Sequence, residues 1–254
     1  MSKFRILNTL VGIQHIDQTS SAAPDTIARL PQVGSVMPAY DPYWGGGEFM
    51  YCRFTAAVRA KGLVQLLPVF DATLGRWVTE AAEAANTANS GRAVGVAVMP
   101  ATAAGQYGWV QVQGVTPVNS SAAVAADAVV GLAAVGQAGA NSAGKQLLGV
   151  RSVGASTITS VKPSIGGVPN VGQAGSNLIQ VTNTDGWFIG GFVSGTGIGA
   201  AAVVTAIDIN EQIVTLSVVN TANVTGNVTF TYNNATIFFN VIHLNRPYVQ
   251  GAIT

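Results

Sequence analysis

Charged residues are scarce in this sequence: Asp, Glu, Lys and Arg together make up 9% of its 254 residues, where an ordinary soluble domain has about 25%. A monomer so poor in charge has few ways to keep neutral and apolar surface from associating. Much of the exterior is therefore expected to be covered by other subunits, or coated with Ala, Ser, Thr and Asn. The 12 basic and 11 acidic residues leave a net charge of +1 and are scattered. Phosphate neutralisation needs a basic patch, so nucleic acid is not an expected partner. The single cysteine, Cys52, excludes an intrachain disulfide and fits folding in a reducing cytoplasm. Long hydrophobic runs are also missing. The longest, Ala122 to Ala138, is mostly alanine and is broken by Asp127 and two glycines, so no membrane span is expected. The opening MSKFRILNTLVGIQHID lacks a signal-length apolar core before His15 and Asp17, and no secretion signal is expected.

What is plentiful is apolar and small: 48% of the chain is hydrophobic and 30 residues are glycine. Residues 1–47 hold Pro24, Pro31, Pro38 and Pro42 and end in Pro42-Tyr-Trp-Gly-Gly-Gly47. Proline fixes φ and lacks a donor, so this stretch predicts an extended arm lying on something else. From Glu48 short β-branched and apolar runs are cut by Gly, Pro and Asn every 8–12 residues or so, as in a sandwich or barrel. The runs are Glu48–Arg59, Leu63–Phe70, Ala93–Met99, Tyr107–Val118 and Gln146–Val153. In Trp109–Val115 the valines at 110 and 112 alternate with glutamines, which predicts a strand with one buried and one solvated face. Thr79–Ala88 has the alanines and glutamates of a helical turn but only alanine to bury.

Between Lys162 and Thr254 only Asp185, Asp208, Glu211 and Arg246 are charged, and Val, Thr, Asn and Gly dominate. A second β unit over 159–235 is expected, with strands at Asn177–Thr182, Gly186–Val193, Ala202–Ile207, Gln212–Val218 and Asn227–Tyr232. The bulkier run Thr236–Leu244 fits either domain. In the first case 236–254 completes the 48–158 barrel and the second unit is an insertion.

Apparent chemical motifs fail where their mechanisms are most exacting. Gly139-Ala-Asn-Ser-Ala-Gly-Lys145 has phosphate-loop spacing, but Gln146 stands where a Mg²⁺-binding hydroxyl is needed, and a β-like run follows. Gly195-Thr-Gly-Ile-Gly199 lacks a third fingerprint glycine at Ala200 and reads as a tight turn. His15 and His243, the two histidines, have no Cys or carboxylate at ligand spacing. Cys52 reads as a buried small hydrophobe. Glu80 with Glu83, and Asp208 with Glu211, read as solvated surface. Trp44, Trp77, Trp109 and Trp187 are dispersed and suit packing or interfaces more than a sugar platform. No catalytic residue, metal site or cofactor is expected, and the chain is read as non-enzymatic.

The segments Gly47-Glu-Phe-Met-Tyr51, Ser90-Gly-Arg-Ala-Val-Gly-Val-Ala-Val98 and Gly105-Gln-Tyr-Gly-Trp-Val-Gln-Val-Gln-Gly114 resemble a pattern in small structural proteins of tailed bacteriophages. The stretch Asn183–Ile198, with Thr205–Asp208, Thr215–Ser217 and Gly226–Thr231, is similar to a β module of phage virion proteins. The resemblance covers about two thirds of the chain and implies a capsid decoration, or cement, protein on the outer surface of the virion. Its implied partners are the major capsid protein and further copies of itself, as a homotrimer.

The expectation is thus an all-β protein: a β-barrel or sandwich domain with an extended N-terminal arm and a second, small sandwich-like β domain. The barrel docks on the shell, and Tyr40, Tyr43 and Trp44 are the candidate partner-binding residues, because aromatics in a neutral extended segment make good anchors. They could instead pack back on their own barrel. A rival reading is a head-fibre or tail-associated protein that binds a host glycan through the second unit and Trp187. A depolymerase is the remaining rival and needs a cleft lined by carboxylates.

Overall fold

The computed structural model describes residues 5–6, 16, 19–21, 31–41, 43–154, 160–163, 170–234 and 237–251. Every regular element among them is a strand, and the chain forms two compact units, Phe4–Ala155 with Ile237–Thr254, and Ser156–Thr236.

In the larger unit β1 (Arg5–Ile6), β2 (Val36–Asp41), β3 (Gly45–Phe54), β4 (Leu63–Asp71), β5 (Arg76–Glu83), β6 (Val94–Ala97), β7 (Tyr107–Ser120), β8 (Val129–Ala134), β9 (Gln137–Ala140) and β10 (Gln146–Gly154) precede the insertion, and β17 (Phe238–Val249) follows it. They form one sheet that closes on itself twice. The 14-residue β7 pairs with β3 on one edge and β6 on the other through its first half, closing the ring β3-β5-β4-β6-β7. Its second half pairs with β17 and, at Ser120, with β9, closing the ring β7-β17-β10-β8-β9. Closure removes open sheet edges. The first ring is filled by Cys52, Phe54, Val64, Leu66, Ala81 and Val110, the second by Val118, Leu132, Leu147, Ile242 and Leu244. Val94 and Val96 on the outward side of β6 join the second core, so the wall between the rings is apolar on both sides. Each fully buried Leu, Val or Phe contributes about 1.5–3 kcal/mol of burial free energy.

That double closure corrects the reading of β7. Gln111 is buried, not solvated, since both faces of the strand are covered. Its side-chain amide donates to the Gln113 and Val115 carbonyls where β7 passes from one ring to the other. The helical turn at Thr79–Ala88 is also corrected: β5 occupies 76–83, and small Ala81 fits inside the ring where β5 lies parallel to β3.

The extended-arm boundary at residue 47 does not hold. Val36–Asp41 is a regular strand of the sheet, paired residue for residue with Gly45–Met50. Among the described residues β2 is paired on its second edge at Ala39 and Tyr40 and not at Pro38, so the missing donor of Pro38 is accommodated there. Ser20 bridges Tyr107, and Ile16 is buried with Tyr51, Trp109 and Phe49. Residues 1–4, 7–15, 17–18 and 22–30, and Pro42, lie outside the described residues.

The smaller unit connects β10 to β17, which are adjacent antiparallel neighbours. It holds β11 (Ser160–Pro163), β12 (Leu178–Gln180), β13 (Phe192–Thr196), β14 (Val204–Asp208), β15 (Ile213–Leu216) and β16 (Thr225–Thr231). They form two three-stranded sheets, β11-β16-β13 and β12-β15-β14. The strand expected at 186–193 begins only at Phe192. Trp187 and Phe188 sit in the preceding turn and pack with Phe230 and Tyr232, Trp187 stacking on Phe230 at 4.7 Å.

Candidate functional site

Two hairpin tips of the larger unit present aromatic side chains to solvent. The first joins β2 to β3 and brings Tyr40, Tyr43 and Trp44 together. Asp41 is buried at the end of β2, and its Oδ1 accepts the Tyr43 N–H at 2.8 Å and the Trp44 N–H at 3.0 Å. Such an Asx turn fixes the loop without helix or ladder bonds. Gly45 re-enters the strand at φ +84, a conformation L side chains adopt rarely. The Tyr43 and Trp44 rings meet edge to face at 4.8 Å and 85°. Tyr40 and Tyr43 are each 42% exposed, while Trp44 is half-buried. The three residues therefore form a fixed tip, not a loose segment.

The second tip, between β4 and β5, was not singled out from the sequence. Phe70 and Trp77 are direct cross-strand partners, 52% and 68% exposed, with ring centroids 5.8 Å apart. The legible signal was Phe70-Asp-Ala-Thr-Leu-Gly-Arg-Trp77, an Asp-to-Gly turn flanked by two aromatics, which places them opposite each other. Asp71 Oδ1 accepts the Thr73 and Leu74 N–H groups, and Oδ2 accepts from Arg53 Nη1. Arg53 also donates to Glu80 at 2.6 Å, so one guanidinium ties both strands of the hairpin to β3. The Leu74 N–H first, then the Arg53 guanidinium and the Thr73 N–H, hold the Asp71 carboxyl below the usual carboxylate range. A depressed folded value means that this turn is supported fully above about pH 4 and loses support as pH falls through the Asp71 value. The indole N–H signal of Trp77 is thus expected to shift and broaden on acidification, and Asp71→Asn to abolish that pH dependence. A shift unchanged in Asp71→Asn contradicts the assignment.

Beside this hairpin the end of the first ring opens into an apolar cavity of about 170 Å³, walled by Val36, Met50, Leu66, Val94, Val112 and Pro247. Ala93 lies at its side, and the Glu48–Arg246 ion pair, at 2.8 Å, borders it.

The remaining candidates do not assemble into reactive groups. Cys52 lies fully buried inside the first ring, where burial pushes its thiol up, away from the reactive thiolate. His243 is exposed on β17 opposite Val115, whereas Cys52 lies opposite Gly108, about seven residues or ~23 Å along β7. Gly139 and Ala140 end β9, residues 141–145 connect it to β10, and Gln146 begins that strand. Gly195-Thr-Gly-Ile198 forms a turn closed by the Ile198 N–H on the Gly195 carbonyl. Trp187 is fully buried, so it offers no ring face for a sugar. Glu80 holds Arg53, and Glu83 holds Arg59 through paired bonds of 2.7 and 2.9 Å. Among the described residues no three of His, Cys, Asp and Glu converge as metal ligands, and no helix is long and apolar enough to cross a membrane.

None of the protein-family models, curated proteins or solved structures compared matches this chain.

Proposed function

We propose that the chain is a virion structural protein that binds the outer surface of a phage capsid and stabilises it by bridging neighbouring major capsid subunits. The observation that carries the reading is the fixed aromatic tip of Tyr40, Tyr43 and Trp44 on a closed β framework in a chain of 9% charged residues. Aromatics on a rigid support lose little conformational entropy when a partner covers them, which is what makes such residues anchors. The sequence resemblance supplies the partner, the assembled shell. The protein is a multi-copy component with no chemistry of its own in this role. A copy that binds assembled shell but not free capsid subunits shifts the equilibrium toward the intact particle, and contact with two subunits raises the effective concentration of the second.

Measured occupancy on purified particles tests this. Tyr40→Ala together with Tyr43→Ala is expected to lower affinity for the shell about tenfold or more, in line with loss of interface anchors. Heat resistance of the particles should fall in parallel. Unchanged occupancy with both tyrosines removed contradicts the assignment of the tip.

A further inference from the structure

We infer that the open end of the first ring is a self-association surface, on which two copies meet about a two-fold axis with Trp77 of each seated in the apolar cavity of the other. The inference goes beyond shell binding and does not depend on it.

The position of the two features on β4 carries the argument. Leu66, Pro68 and Phe70 alternate onto one side of the strand, and the register places Ala81, Thr79 and Trp77 beside them on β5. Leu66 walls the cavity, so the hairpin runs on past the cavity mouth with Phe70 and Trp77 on the same side. Four residues of strand span ~13 Å. The aromatic pair is fixed on the strand that builds the cavity, points the same way and is displaced along it, so it does not reach its own cavity. A second copy, turned by two-fold rotation, brings knob to hole at both places at once, as an isologous contact requires.

Size and charge agree. A cavity of about 170 Å³ takes one large side chain. Val36, Phe70, Trp77 and the cavity wall offer on the order of 400 Å² of apolar surface per copy, near the apolar half of the ~800 Å² that each partner contributes to a stable interface. At the hairpin Arg53 and Arg76 stand against Asp71 and Glu80, and at the cavity Arg246 pairs with Glu48 while Arg92, beside Ala93 and bonded to Gln65, adds one positive charge. The contact sets the neutral hairpin of one copy on the cavity of the other, so like charges are not brought face to face.

Sedimentation equilibrium of the full chain tests the contact, with two variants that act on opposite halves. Trp77→Ala removes the knob, and Ala93→Phe narrows the cavity from an exposed position. The wild type is expected to be a dimer, and each variant to raise the dissociation constant about 30-fold or more. Thermal transitions of both monomers should match the wild type measured under dissociating dilution. A wild type that stays monomeric up to about 100 µM, one that sediments as a trimer, or a dimer indifferent to both substitutions overturns the inference. Particle occupancy is a separate readout, so shell binding and self-association can fail independently.

Discussion

Gly114→Ala should destabilise the larger unit by ~3 kcal/mol or more. Gly114 sits where β7 leaves the first ring for the second, at φ +100, and a Cβ there would lie 2.4 Å from the Gly46 carbonyl oxygen and 3.0 Å from the Gly47 Cα. Both obstacles are backbone of β3, paired to β7 through Gly47↔Gly114, so relief requires moving one strand of the closing pair. Left-handed backbone for an L residue costs about 1–3 kcal/mol, and overpacking typically adds 1–3. Against a total stability of about 5–15 kcal/mol that is a large fraction. Gly45→Ala supplies the control, because Gly45 has a similar φ of +84 but nothing within 4 Å of its Cβ. It should show only the backbone contribution, about 1–3 kcal/mol, and so lose less than Gly114→Ala. Urea denaturation of the two variants separates the contributions, and equal losses would mean that the close approach of β3 and β7 is not part of the fold.

Gly191→Ala should damage the smaller unit just as severely, through packing alone. Its Cβ would stand 2.2 and 2.3 Å from Cζ and Cε2 of Phe230. Phe230 is fully buried against Trp187, Phe188 and Tyr232, and the Tyr232 hydroxyl donates to the Gly186 carbonyl at 3.0 Å. Its ring therefore has no direction in which to retreat. A loss of ~3 kcal/mol or more is expected, at the upper end for overpacked cores. Because the insertion unit has its own core, the loss should appear as a separate early transition reported by Trp187, ahead of the transition of the two rings. Adding Phe230→Leu to Gly191→Ala should recover part of the loss by making room. A single unshifted transition for Gly191→Ala runs against the described packing.

The all-β class was legible because strand periodicity and turn residues lie in local sequence. The runs at Leu63–Phe70, Tyr107–Val118 and Gln146–Val153 became β4, β7 and β10 with modest changes at their ends. What failed was reading each strand as if it had one neighbouring layer. Gln111 looked solvated because alternation reports polarity, whereas two rings sharing β7 bury both of its faces. β8 and β9 were hidden in the alanine-rich stretch around 122–138, where small residues carry little periodic contrast and pairing decides the conformation. Prolines made residues 36–41 look like free arm, but a proline is compatible with a strand wherever its donor is not required.

The candidate surface was half legible. Tyr40, Tyr43 and Trp44 stand out as clustered aromatics, and the buried Asp41 that fixes their turn explains why they share a tip. Phe70 and Trp77 are seven residues apart, and their pairing depends on the hairpin register. The cavity draws walls from β2, β3, β4, β6, β7 and β17, a convergence that no local pattern encodes.

Cryo-electron microscopy of particles assembled with and without this protein addresses shell binding most directly. The account predicts added density on the outer capsid surface, lying across the junctions of neighbouring major capsid subunits, into which the two-ring unit fits with the Tyr40–Trp44 tip against the shell. Identical shells in the two samples, or density confined to the tail, would contradict it.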